Sequence, residues 1–155
     1  MTYRIDDEPQ PSALAKWVVD PLWPLFAIMF GGAVLSWAWF VWNGFAVGSP
    51  TKRRELGLAI GGLLGSALLL FGLVGLYASE ALGELGFKYA LIVLTVWKLG
   101  VSYWLYILQG RSFHLYQYFG GEVKNGFFLA FIGGFLFRRA FTDLGLGSFW
   151  TAILL

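Results

Sequence analysis

The stretch Glu55–Ser79, ELGLAIGGLLGSALLLFGLVGLYAS, decides the fold class. It carries no charge after Glu55. At ~1.5 Å per residue it is long enough to cross a bilayer, which takes roughly 20 apolar residues. Helical phasing sets Gly57, Gly61, Gly65, Gly72, Gly75 and Ser79 on one narrow stripe, with Leu68 as its one bulky member. A line of missing side chains lets a second backbone approach closely, and such contact is a main route to helix association in lipid. This helix is therefore expected to be the hub against which the other segments, or a second copy of the chain, pack.

Composition agrees with a membrane protein. Of 155 residues, 58% are apolar, 19% aromatic and only 13% charged, whereas about a quarter of a soluble domain is charged. The expected class is an all-α integral membrane protein. Residues 1–20 read as an N-terminal tail with a short interfacial helix, and residues 21–155 as the transmembrane helical domain. A net charge of +2, with the bases at membrane edges, argues against a nucleic-acid partner. The absence of cysteine excludes disulfides and thiolate metal sites. The start, MTYRIDDEPQPS, is acidic and polar, unlike a signal peptide.

Ser12–Val19, SALAKWVV, has a capping serine and a Trp beside a Lys, which suits a brief helix at headgroup level. Asp20–Pro21 then opens a first span over residues 21–47. Its second half gathers Trp37, Trp39, Phe40, Trp42 and Phe45, read as an aromatic belt at one interface, with a ligand box as the alternative. Thr51-Lys52-Arg53-Arg54 is a short basic loop and belongs on the cytoplasmic side. That puts the N-terminus outside and sends the glycine-striped second span outward, in what reads as a bacterial inner membrane. SEALGELGFK, residues 79–88, fits the outer face, and a third span follows over Phe87–Gln109.

Beyond Gly110, RSFHLYQYFGGEVKNG reads as a surface segment, with Gly120–Gly121 as a turn. FFLAFIGGFLF, residues 127–137, is only about half a bilayer long. Gly133–Gly134 within it reads as a packing notch or a break, and Arg138 and Arg139 interrupt it before LGLGSFWTAILL. We read four spans, the last starting near Val123. The alternative is three spans plus C-terminal re-entrant or interfacial segments. The positive-inside tendency favours the alternative, since three spans leave seven bases inside against three outside, and four spans leave five against five. A lipid-exposed half-segment, however, needs its backbone ends covered by protein.

Lys98, near the middle of the third span, is the sharpest candidate for chemistry. A charge at the bilayer centre costs about 2.5–3.5 kcal/mol and therefore faces the bundle interior or finds a partner. Thr95, Ser102, Tyr106 and Gln109 share its face as an intramembrane polar stripe. Candidate partners are Glu122, Asp143 or a carboxylate of another chain. Lys98 would then serve an anion or proton site, dock an acidic helix, or simply pin the packing. Arg138 and Arg139 with Asp143, four residues after Arg139, read as a headgroup anchor with an ion pair, or as an anionic-lipid site. His114 is the only histidine, so bis-histidine haem ligation within the chain is excluded.

No catalytic, cofactor or metal residues are expected, although bound lipid is compatible with the basic clusters. The leading expectation is a non-catalytic small subunit, related to transport, that packs through its glycine-rich helix into a larger membrane assembly. Its partners would be membrane lipids and other membrane-protein subunits or copies of itself. The alternative is a self-assembling channel or carrier with Lys98 lining the path. A lipid-directed enzyme would need Glu122, His114 and Asp143 to converge.

Overall fold

A computed structural model describes residues 9–145 and 147–155. All the extended elements among them are helical. Three helices, α1 (Leu22–Val47), α2 (Lys52–Ala78) and α3 (Glu84–Tyr118), are long and apolar enough to cross a membrane. A single turn of 3-10 helix, Ala15–Trp17, precedes them. A π-helical turn (Leu129–Gly133) leads into α4 (Gly134–Asp143), and α5 (Gly147–Leu154) follows.

Helices α2 and α3 form an antiparallel hairpin along their whole length. Leu70 meets Leu94 near one end. In the middle, Trp97 Nε1 donates to the Gly62 carbonyl at 3.1 Å. Gln109 reaches Glu55 at the other end. The face of α2 turned inward is Ala59, Gly62, Ser66 and Leu70. A methyl group on Gly62 would sit 2.9 Å from both Trp37 and Val101, so this glycine admits an indole between the helices.

The expected first span is not a single unbroken helix. Its helical assignment runs across Gly32, whose φ of 83° and ψ of −176° break the helix. Residues 22–31 and 33–47 then lie antiparallel. Ser36 Oγ donates to the Pro24 carbonyl at 2.8 Å, although twelve helical residues would hold them ~18 Å apart. Farther from the tip, the Asn43 amide exchanges two hydrogen bonds with the Val19 backbone, and the Gln10 N–H donates to the Gly48 carbonyl. Only glycine adopts such a φ without strain, so Gly32 is what permits the fold-back. One consequence is that residues 9–20 lie beside residues 43–48, at the same end of the bundle as Lys52–Arg54, which form the first turn of α2 rather than the expected loop.

The second limb ends at Gly48, whose φ of 71° is a left-handed cap, with the Ser49 N–H returning to the Gly44 carbonyl. This limb buries Ala33, Trp37 and Phe40 against Ala59, Val101 and Leu105, and these six form the main core.

The C-terminal part starts at the same end. Lys124 N–H bonds the Val18 carbonyl, and a helical run over residues 127–143 climbs parallel to residues 22–31. Trp23 packs edge-on to Phe127, and Phe30 lies against Phe131 and Phe135. Near the hairpin tip the two backbones almost touch. A methyl on Gly134 would come within 2.9 Å of Phe30 Cβ and 3.2 Å of the Gly31 nitrogen. The chain then turns back, and α5 sets Ile153 against Leu70 and Leu94. Its end meets the Gly32 tip. The second limb of α1 thus covers the lower half of the α2–α3 hairpin, and α5 covers part of the upper half.

Candidate functional site

Three places carry polar or unusual features. The first is a buried network at the Lys52–Arg54 end. Glu55 is fully buried on the first turns of α2, with no cation bonded to it among the described residues. Its Oε1 accepts from Ser49 Oγ at 2.9 Å and Thr51 Oγ1 at 2.7 Å, and its Oε2 accepts from Gln109 Nε2 at 2.9 Å. Gln109 also donates to the Phe40 carbonyl and accepts from Asn43 Nδ2. Ser112 lies 3.0 Å from Ser49. Gly44 makes room for the Glu55 carboxylate, because any side chain there would overlap it. A buried charge is tolerated only when its oxygens are bonded, and here both are. The network sews α1, α2, α3 and the chain before α1 into one unit.

The polar stripe expected on α3 divides. Gln109 belongs to this network. Ser102 accepts from Trp37 Nε1 at 2.7 Å and donates to the Lys98 carbonyl at 3.0 Å. Tyr106 is half-buried beside the core and stacks on Tyr103. Thr95 is exposed and turned to the Leu91 carbonyl.

Lys98 defines the second place. Its Nζ donates to the Ala152 carbonyl in the last turn of α5, where helix carbonyls lack internal partners and carry partial negative charge. Neither Glu122 nor Asp143 reaches it. Lys98 instead shares a cleft of about 560 Å3 with Arg138 and the apolar side chains of α1, α3 and α5. Arg139 is exposed outside that cleft and forms no ion pair with Asp143 among the described residues. Thr142 Oγ1 bonds the carbonyls of both arginines.

The third place is the glycine stripe of α2. Within the chain it is mostly uncovered. A side chain at Gly57, Gly61, Gly72 or Gly75 would meet nothing within 4 Å, and Ser79 is exposed with its hydroxyl on the Leu76 carbonyl. Gly65 alone is occupied, by the Trp97 indole. Leu68 within the stripe, and Ile60, Leu64 and Phe71 beside it, are exposed too.

His114, Glu122 and Asp143 do not come together. His114 is exposed at the lower end of α3, and Glu122 follows in the connecting loop. Asp143 closes the helical run 127–143, ~25 Å long. Among the described residues no three His, Asp or Glu side chains cluster as metal ligands.

Sequence reasoning misses Glu55 and Asn43 as members of a site. A lone carboxylate opening an apolar span, near Ser49 and Thr51, is the available signal. Comparison with protein families, with curated proteins and with solved structures finds no match.

Proposed function

We propose that the chain is a non-catalytic integral membrane subunit that joins a larger assembly, transport-related or otherwise, along the uncovered face of α2. The observation that supports this most is the open stripe Gly57, Gly61, Gly72 and Gly75, which the chain itself leaves free at van der Waals distance. Small residues that fill no internal contact still permit close approach of a second helix in lipid.

On this reading α2 and α3 cross the bilayer, residues 127–143 make a further crossing, and α1 is a re-entrant hairpin entering and leaving on one side. Lys16, Lys52, Arg53, Arg54, Arg111 and Lys124 then share the cytoplasmic end, with Lys88 at the other. Arg138 and Arg139 join Lys88 beyond the further crossing, so the positive-inside bias of six against three exceeds the five against five of the four-span reading but not the seven against three of the three-span one. The N-terminal side of α1 is cytoplasmic in this arrangement, opposite to the expectation from sequence, and the membrane is a bacterial inner membrane.

Gly61→Leu with Gly72→Leu is the test. The size of the complex extracted from native membranes is expected to fall while the subunit's own melting stays unchanged. An assembly of unaltered size would contradict the proposal.

A second reading, a homo-oligomeric channel or carrier, is favoured by the opening of Lys98 into a cleft rather than a closed core. Flux into liposomes holding only this protein, altered by Lys98→Met, is its signature. Absence of flux from such liposomes removes it.

A further inference from the structure

Lys98 and Arg138 are two cations in a cleft whose lining includes no acidic side chain. Lys98 is 8% exposed and lies on α3 between Leu94, which meets Leu70, and Val101, which would abut a side chain at Gly62. It therefore sits level with the centre of α2. An ammonium has three donors, and the described residues supply one acceptor, the Ala152 carbonyl. The Arg138 guanidinium makes no hydrogen bond or ion pair among the described residues. Two cations with unclaimed donors are thus brought together against walls formed by Ile28, Met29, Leu91, Leu94 and Leu99. A small hydrated anion would lose its water against those walls without recompense. An acid carried on an alkyl chain would bond the cations with its head and cover the walls with its tail. The volume of about 560 Å3 lies within the range of small-molecule sites.

We propose that this cleft binds an amphipathic anion, with a phosphate or carboxylate head between Lys98 and Arg138 and an alkyl tail along Met29, Leu91 and Leu94. The site is independent of the α2 face. The head chemistry is shared by a membrane phospholipid and by a free single-chain acid. A phospholipid source would appear as a lipid retained through purification. A free acid would bind only on titration.

The experiment is native mass spectrometry of the full chain in a neutral detergent, titrated separately with dodecyl phosphate, dodecanoate, dodecanol and inorganic phosphate. Wild type is expected to carry a single retained phospholipid, or to bind one dodecyl phosphate or dodecanoate. Arg138→Gln and Lys98→Met are each expected to weaken that binding by about tenfold or more, the scale of a lost charge-assisted hydrogen bond. Lys98→Arg is expected to retain it. Arg138 is exposed, so its variant keeps the test valid if Lys98→Met fails to fold. Equal binding of dodecanol would overturn the role of the cations, and equal binding of inorganic phosphate that of the tail. Variants indistinguishable from wild type would overturn the site. So would a failure of every anion to bind alongside a co-purifying protein released by Arg138→Gln, which would give the cleft to an acidic protein segment.

Discussion

Gln109 donates to Glu55 Oε2 at 2.9 Å and accepts from Asn43 Nδ2 at 2.9 Å, so one amide on α3 joins the buried carboxylate of α2 to the returning limb of α1. Gln109→Leu would strand a charged acceptor and an amide donor in a dry core. We expect it to cost about 3 kcal/mol in unfolding from mild detergent, since a buried charged partner left unbonded costs more than a neutral one. Removing both partners, as Glu55→Leu with Gln109→Leu, should cost less than the sum of the single changes. Strict additivity would mean the two groups are not coupled.

The contact between Gly31 and Gly134 gives a second expectation. Gly134→Ala must push against Phe30 and the Gly31 backbone and should destabilise by about 1–3 kcal/mol, as overpacking does. Gly57→Ala, with nothing near it, should change stability by less than about 0.5 kcal/mol. Thermal melting of both variants in detergent checks the difference. Equal effects would mean the Gly31–Gly134 crossing is not as described.

The course of α1 is checked by thiol labelling, because the chain has no cysteine. Single cysteines at Ser12, Arg53 and Glu80 are expected to report two sides. Positions 12 and 53 should react with an impermeant reagent from the same side of sealed vesicles, and position 80 from the other. Labelling of position 12 together with position 80 would restore a full crossing.

How much of this was legible in the sequence follows from what each residue signals. Helices α2 and α3 declare themselves by long apolar runs, unbroken by charge in α2 and interrupted only by Lys98 over residues 89–110 of α3, a pattern that depends on nothing distant. The hairpin in α1 does not, because Gly31–Gly32 lie inside an apolar run that reads as one span. The clue is spread over Pro24, Gly32 and Ser36, whose relation appears only once the Ser36 hydroxyl meets the Pro24 carbonyl. Phasing also finds the small-residue stripe of α2, but it cannot say which stripe faces α3. That place goes to Gly62 and Ser66, because Trp37 and Trp97 claim the space beside Gly62. Lys98 stands out as a central charge. Its meeting with Arg138, forty residues on, depends on the Gly31–Gly134 crossing and is invisible to local spacing.

Whether the open side of α2 is a contact between proteins decides the proposed role. A photo-crosslinking residue placed at position 61, with one at position 70 as the control, tests this in native membranes. Position 61 is expected to give a discrete higher-mass protein adduct. Position 70, where a large side chain is already buried against Leu94 and Ile153, is expected to give none. Lipid adducts alone from position 61, with no protein attached, would contradict an assembly built along this face.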